Sequence, residues 1–289
     1  MKKDIKDGSG MTVGVDLGDR WSRYRVLDLQ GQVLKQDTIA TTGRALRKCF
    51  SEMPAARVVI EVGTHSPWVQ RLLQELGHET ITAHTQSVRL IYGSKDKNDQ
   101  LDAERLARLA RVDPKLLHPI QHRGESAQAD RALLRSRNAL VECRTKLVNH
   151  ARGIVKSIGG RLASCSTTCF HKRVRKDLPD ELKPALTPVL DTIGTLTQKI
   201  QRLENRIERL ASKRYPETGV LRQVSGVGPL TALSYVLTLE DPARFKSSRA
   251  VGPYLGLRPR QSQSGGQDPE LRITKAGDSD LRRLLVGSA

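Results

Sequence analysis

Met11-Thr12-Val13-Gly14-Val15-Asp16-Leu17-Gly18-Asp19 is an apolar run that ends in a carboxylate and turns at a Gly-Asp pair. It reads as a first β-strand. Trp21 to Leu29 follows at once, and Gln32 to Ile39 comes after Gln30-Gly31 with β-branched residues near its end. Three strands in such close succession form a meander. Thr42 is placed to cap a helix from about Arg44 to Glu52. Arg57 to Val62 returns to a buried-strand pattern. Pro67 then occupies a first-turn position, and Trp68, Val69, Leu72, Leu73 and Leu76 recur at helical spacing up to Gly77. Glu79 to Ala83 is one more strand. Three strands, a helix, then strand, helix, strand is the order of an RNase H-like (RuvC-like) α/β fold. A doubly wound sheet would alternate β and α from its start.

The remainder reads as helical. Asp99 to Arg111 carries Leu101, Leu106, Leu109 and Ala110 on one side. Ala127 to Ile158 is a long basic helix, with Arg131, Arg135, Arg137, Arg144, Lys146, Arg152 and Lys156, broken by Gly159-Gly160. Leu182, Leu186, Val189, Ile193, Leu196, Ile200, Leu203, Ile207 and Leu210 are spaced alternately four and three, the seam of a coiled coil. Pro184 and Pro188 set its reliable start near Val189. Its partner is either the preceding helix or a second subunit, and the second choice makes the protein at least a dimer. Pro216 to Ala289 is mainly α, with Ser225-Gly226-Val227-Gly228-Pro229 between two helical patterns. That turn resembles a helix-hairpin-helix, in which backbone N–H groups at Gly226 and Gly228 meet phosphate. A plain helix–helix turn has the same pattern. The expected division is 11–115, 116–214 and 215–289.

Lys and Arg total 49 against 31 Asp and Glu, a net charge of +18. Such an excess suits a polyanionic partner, because each cation that meets a phosphate releases a condensed counterion. Aromatic residues make up 3%, which argues against a base-stacking platform. Cys49, Cys143, Cys165 and Cys169 have no zinc-knuckle spacing and read as thiols of a reducing compartment. Met1 to Gly10 lacks the apolar core of a signal peptide. No stretch approaches the ~20 apolar residues of a membrane span. The expected setting is prokaryotic cytoplasm, with no membrane partner.

Asp16 and Glu61 each end an apolar strand, where a charge is costly unless it meets solvent, a partner or a cation. In an RNase H-like sheet those strands are neighbours. Two carboxylates held so close require a cation, or one stays protonated. Asp99 and Asp102 stand three apart at a helix start and share one face. Taken singly, each has an ordinary role as a helix cap, a turn residue or an arginine partner. As an ordered set they form the hard oxygen environment that Mg²⁺ prefers. Two such ions about 4 Å apart stabilise the attacking and leaving oxygens of phosphodiester transfer. An Asp-Leu-Gly start also opens actin-like kinases. Their second Asp-x-Gly motif and adenosine-binding Gly pair are not found, so no nucleotide cofactor is expected.

The C-terminal motifs are specific. Ser225-Gly226-Val227-Gly228-Pro229-Leu230-Thr231-Ala232 precedes Tyr254-Leu255-Gly256-Leu257-Arg258-Pro259, then Ser264-Gly265-Gly266, Ile273-Thr274-Lys275-Ala276-Gly277-Asp278 and Leu281-Arg282-Arg283-Leu284-Leu285. This series resembles the transposase domain of the DEDD insertion-sequence recombinases, the IS110 family. Val13-Gly14-Val15-Asp16, Val59-Ile60-Glu61 and Lys97-Asn98-Asp99-Gln100-Leu101-Asp102-Ala103 are similar to its RuvC-like half. The resemblance implies a DNA recombinase that cuts and rejoins strands, with Asp16, Glu61, Asp99 and Asp102 holding magnesium. It implies Ser264 as a nucleophile that forms a phosphoserine link. Ser262, two residues earlier, is the other candidate; Ser264 directly precedes Gly265-Gly266, as in the family motif. A bridge-type guide RNA selecting donor and target DNA, and active sites composed across subunits, are implied as well. Lys275 and Arg282 are candidates for neutralising the scissile phosphate, and Arg135 and Arg144 for the nucleic-acid backbone. Family members continue past the Leu281–Leu285 helix, so a chain ending at Ala289 reads as a shortened copy. A RuvC-like nuclease or junction resolvase without serine chemistry, and an inactive nucleic-acid-binding relic, are the alternatives.

Overall fold

The computed structural model describes residues 10–84, 99–263, 266 and 269–289, with the backbone alone of 99–101. Contacts divide the chain into two units, one ending at Arg123 and one running Gly124–Ala289.

The first unit is built on a five-stranded sheet in the order β3-β2-β1-β4-β5. Its strands are β1 (Thr12–Asp16), β2 (Trp21–Leu27), β3 (Val33–Ala40), β4 (Arg57–Glu61) and β5 (Glu79–Ala83). The meander β1-β2-β3 is antiparallel, whereas β4 pairs parallel with both β1 and β5. This is the RNase H-like order expected from the sequence. Helix α1 (Gly43–Ser51) starts at Thr42, whose hydroxyl accepts from the Ala45 amide at 3.3 Å. Helix α2 (Ser66–Glu75) carries Pro67 in its first turn, where no N–H is needed.

Alternation along the strands sorts the two faces. Val13, Val15, Val58 and Ile60 face α1 and α2 and bury with Leu46, Phe50, Val69 and Leu73. Each such side chain contributes roughly 1.5–3 kcal/mol of burial. Val59, Ile81 and Ala83 face the other way, under helix α3 (Asp99–Val112), where Leu106, Leu109 and Ala110 cover them. Gly14 lies on that second face. A Cβ there would sit 1.9 Å from the Ala103 carbonyl oxygen and 2.8 Å from the Ala107 amide nitrogen. The α3 backbone therefore rests directly on β1. Both clashing atoms are backbone and cannot rotate away, so Gly14→Ala is expected to cost about 3 kcal/mol. Chemical denaturation measures it; a variant as stable as the parent would show that α3 lifts from the sheet at no cost.

The outer edge of β5 is covered, since the Ile120 amide donates to Thr82 O at 2.9 Å and the His84 amide to Leu117 O at 3.0 Å. The outer strand β3 is exposed from Val33 to Thr38.

In the second unit, α4 (Glu125–Ser157) and α6 (Lys183–Arg214) pack along their lengths, with the short α5 (Phe170–Arg173) between them in sequence. Val148, Ala151 and Val155 of α4 bury with Phe170, Leu186, Leu190 and Ile193. Ala127 and Leu134 meet Ile207 and Ala211. The start of α4 thus lies by the end of α6. Helices α7 (Glu217–Leu221), α8 (Pro229–Leu239), α9 (Val251–Tyr254) and α10 (Ser279–Ser288) complete the unit. Leu233 and Leu237 of α8 join the Ile207 cluster, so the C-terminal stretch and the long helices share one core. Asp278 caps α10 by accepting from the Leu281 amide at 2.8 Å and pairs with the largely buried Arg131 of α4.

Helix α6 begins at Lys183 rather than near Val189. Pro184 falls in its first turn, where the missing amide costs nothing, and Pro188 gives up one early hydrogen bond that packing of Leu186 and Leu190 outweighs. Its buried set is Leu186, Leu190, Ile193, Ile200, Ile207 and Ala211, whereas Val189, Leu196, Leu203 and Leu210 are half-buried. The helix buries one stripe and leaves the adjoining one partly open.

Candidate active site

Parallel pairing of β1 and β4 runs in register from Thr12↔Arg57 to Val15↔Ile60. The next residues are Asp16 and Glu61, at the carboxyl ends of adjacent strands. Neighbouring strands lie about 4.8 Å apart. Asp16 is two residues beyond Gly14 and Glu61 two beyond Val59, so both belong to the face that α3 covers. Both are half-buried. Asp102 immediately precedes Ala103, the residue whose carbonyl rests on Gly14. It is half-buried and paired with Arg105 at 3.4 Å. The strands and the helix thus place three carboxylates on one side of the sheet.

Helix α3 is pinned there by polar contacts. Arg25 of β2 pairs with Glu104. The Arg57 guanidinium donates to the Ala110 carbonyl at 3.1 Å and pairs with Glu79 at 2.9 Å. These bonds fix where Asp102 stands relative to β1.

Among the described residues, no three His, Cys, Asp or Glu side chains are grouped closely enough to hold a metal ion. Asp16, Glu61 and Asp102 therefore do not form a closed ion pocket by themselves. The Asp99 backbone opens α3, and its side chain lies outside the described residues. The donor set is all carboxylate oxygen, the chemistry that suits a hard divalent cation.

Three neighbours of the row went unnoticed in the sequence. Arg23 stands opposite Asp16 in the β1–β2 ladder. A cavity of about 160 Å³ lined by Arg23, Arg25, Gln36 and Thr38 opens beside them. His65 lies 3.7 Å from Asp19, and its Nδ1 accepts from Trp68 Nε1 at 3.1 Å. The available signal was position: Asp19 and His65 follow the carboxyl ends of β1 and β4, and Arg23 lies near the start of β2, the strand that turns back beside β1.

In the second unit, Ser264 and Gly265 lie outside the described residues. The base of their loop is described. Arg260 donates to Arg272 O at 3.0 Å, Thr274 to Arg258 O at 2.9 Å and Lys275 to Gly256 O at 3.2 Å. These bonds pin 256–260 against 272–275, and Ser262 beyond them is exposed. A Cβ on Gly256 would meet Ala276 O at 2.2 Å, and one on Gly277 would meet Tyr254 O at 2.3 Å. Two chain segments cross there, backbone against backbone.

The candidate phosphate contacts divide. Lys275 and Arg135 are exposed, and Gly228 is the N-cap of α8, where an added Cβ would meet nothing within 4 Å. Arg282 instead donates to the carbonyls of Leu255, at 3.1 Å, and Ala276, so its guanidinium clamps the base of the hairpin. Arg144 is 9% exposed and reaches Thr197, which takes it away from the solvent face. Burial lowers its pKa. Gly226, with φ +82°, has the Ser288 carbonyl 2.3 Å from where its Cβ would be, so that turn is closed by the chain itself. All four cysteines are free thiols. No helix among the described residues is long and apolar enough to cross a membrane.

An RNase H-like sheet with carboxylates at its central strand ends, followed by a helical unit, defines a class of enzymes that act on nucleic acid. Residues 13–159 match the family model of DEDD transposases of the IS110 type, and residues 219–289 match that of the IS116/IS110/IS902 transposases. The chain belongs to the IS110 family of transposases and acts on DNA. It is 30% identical to the transposase for insertion sequence element IS1328 of Yersinia enterocolitica, over 96% of this chain and 82% of that one. It is 31% identical to the transposase for element IS1111A of Coxiella burnetii, over 99% and 78%. A probable family 20 transposase of Pseudomonas aeruginosa is 29% identical over 96% and 82%. Thermus thermophilus RuvC aligns with 36% of this chain and 96% of its own, at 16% identity and a TM-score of 0.27.

Proposed function

We propose that this transposase cuts and rejoins DNA by phosphoryl transfer from a serine ester, with Asp16, Glu61, Asp99 and Asp102 holding magnesium and Ser264 as the nucleophile. The observation that carries the reading is the register of β1 and β4, which sets Asp16 beside Glu61 on the face shared with Asp102. Bound there, magnesium would stabilise charge on the oxygens that attack and leave phosphorus. Asp16 and Glu61 supply rigid oxygen donors from the sheet, and α3 supplies the other two. Arg23, opposite Asp16 in the β1–β2 ladder, would supply a cation to a phosphate bound there. The Ser264 hydroxyl attacks phosphorus, its proton leaves to a base or bound water, and the displaced 3′ oxygen keeps the bond's electron pair. Reversal by that hydroxyl on a new strand rejoins DNA and frees the serine. A bridge-type RNA selects the strands, and at least two subunits assemble the reaction; the +18 charge suits both polyanions.

The full chain, incubated with duplex insertion-sequence ends and magnesium, is expected to give DNA covalently attached to the peptide containing 261–271. Chelation should remove the adduct, and co-purifying RNA should be one discrete species. Cleaved DNA with no adduct would instead favour a RuvC-like nuclease or resolvase.

A further inference from the structure

Beside the half-open stripe of α6 runs a groove of about 570 Å³ against α4. Leu133, Leu203 and Leu210 form its floor, and one wall is made of the small, exposed side chains Ala129, Ala132 and Ser136. Along α6 the other wall includes Arg206, Arg209 and Lys213; Lys199 and Arg202 continue the same line toward the start of α6, and all five are exposed. Their spacing of three, four, three and four keeps them on one face. None makes an ion pair among the described residues. The carboxylates beside them are engaged elsewhere. Glu204 pairs with Arg137, Glu208 with Arg222, and Asp130 with Arg214 and the Tyr215 hydroxyl.

We propose that this unpaired cation row on α6, with the small-residue wall of α4, is a docking track for the backbone of duplex DNA. The proposal rests on the DNA-joining reading only in taking duplex DNA as substrate. Lys199 to Lys213 spans about 21 Å at 1.5 Å per residue. One DNA strand rises about 3.4 Å along the duplex axis per phosphate, so the row spans roughly six base pairs of duplex. Small side chains on α4 let a backbone approach where longer ones would hold it off. No aromatic side chain lines the groove, which disfavours a single strand seeking stacking partners. A second copy of this chain would bring an identical cation row and a like net charge, so charge complementarity selects an anionic occupant. Contacts to phosphate carry no sequence information. The track therefore holds and orients DNA, and selection of the site lies elsewhere.

The test is the salt dependence of binding to a 30-base-pair insertion-sequence end, measured without magnesium so that strand chemistry plays no part. In Arg202→Gln/Arg206→Gln/Arg209→Gln, the slope of log K against log salt is expected to fall by about 2.7, at about 0.9 per lost phosphate contact. Lys199→Gln/Lys213→Gln, at the two ends, should lower it by about 1.8. Ala132→Glu should weaken binding by placing an anion on the smooth wall. All these side chains are exposed, so melting temperatures should match the parent. An unchanged slope overturns the proposal. So does a larger loss with duplex RNA of the same sequence, or a drop in oligomer mass at unchanged slope, which would assign the groove to a guide RNA or a second copy. If the triple variant fails to fold, the end-pair variant decides by the same slope.

Discussion

Asp16→Asn is expected to slow DNA strand cleavage by at least about 10³-fold, equivalent to ~4 kcal/mol of barrier, without unfolding the protein. The substitution keeps the shape of the side chain and removes one charged donor from the row. Asp16 stands one register step beyond Val15↔Ile60, so Glu61 is its neighbour on β4. Asp16 is half-buried at the end of β1, and Asn fills the same space, so the packing beneath it is undisturbed. The denaturation midpoint should therefore stay close to the parent's while cleavage collapses. Stopped reactions on labelled insertion-sequence ends, alongside chemical denaturation of the same preparation, give both values. Cleavage at the parental rate would remove Asp16 from the chemistry and with it the metal assignment.

Ser264→Ala is expected to abolish the covalent DNA–protein adduct and strand joining together, a loss again above about 10³-fold, while Ser262→Ala stays within a few-fold of the parent. A serine hydroxyl is a weak nucleophile unless a base or a metal activates it. The described arms of the hairpin carry Arg258, Arg260, Arg272 and Lys275, cations suited to draw a phosphate toward the tip and unable to take a proton. Glu270, exposed on the same stretch, and the carboxylates of the sheet are the groups able to take the proton, and joint loss of the adduct in Ser264→Ala and Asp16→Asn would assign it to the sheet. Mass spectrometry of the trapped adduct distinguishes the two serines. Loss of the adduct in Ser262→Ala with retention in Ser264→Ala would exchange their roles. Cleavage that persists in both single variants and in the double would leave a nuclease.

The sheet was legible because its strands are short apolar runs separated by turn residues, and because helical spacing begins only after the third strand. Thr42 and Pro67 act locally, so their places could be read directly. Gly14 was different. Val13-Gly14-Val15 looks like any strand, and the need for glycine comes from Ala103, almost ninety residues later. The arginines show a second boundary. Arg135 and Arg144 both lie on α4 and look alike as charges, yet one is exposed and the other turns inward to Thr197. Arg282 lies one residue from the buried Leu281, and its reach to the Leu255 and Ala276 carbonyls depends on how the chain crosses itself at Gly256 and Gly277. Charge and composition say that cations are present; packing decides which of them meet solvent. For the carboxylates, register carried the prediction as far as one shared face, and the positions of individual oxygens depend on side chains that no spacing specifies.

The two flanks of the sheet are unequal. One is sealed by the 117–120 segment, whereas Val33–Ala40 turns a row of amide and carbonyl groups toward water. Such a border is a template for strand addition. Lys35 and Asp37 guard its middle, but the ammonium of Lys35 leans over the Tyr24 ring and Val33 and Leu34 stay bare. In concentrated preparations, precipitation should therefore nucleate along this border rather than in the helical half, and charged residues placed at 33 and 34 are the natural remedy for handling the protein.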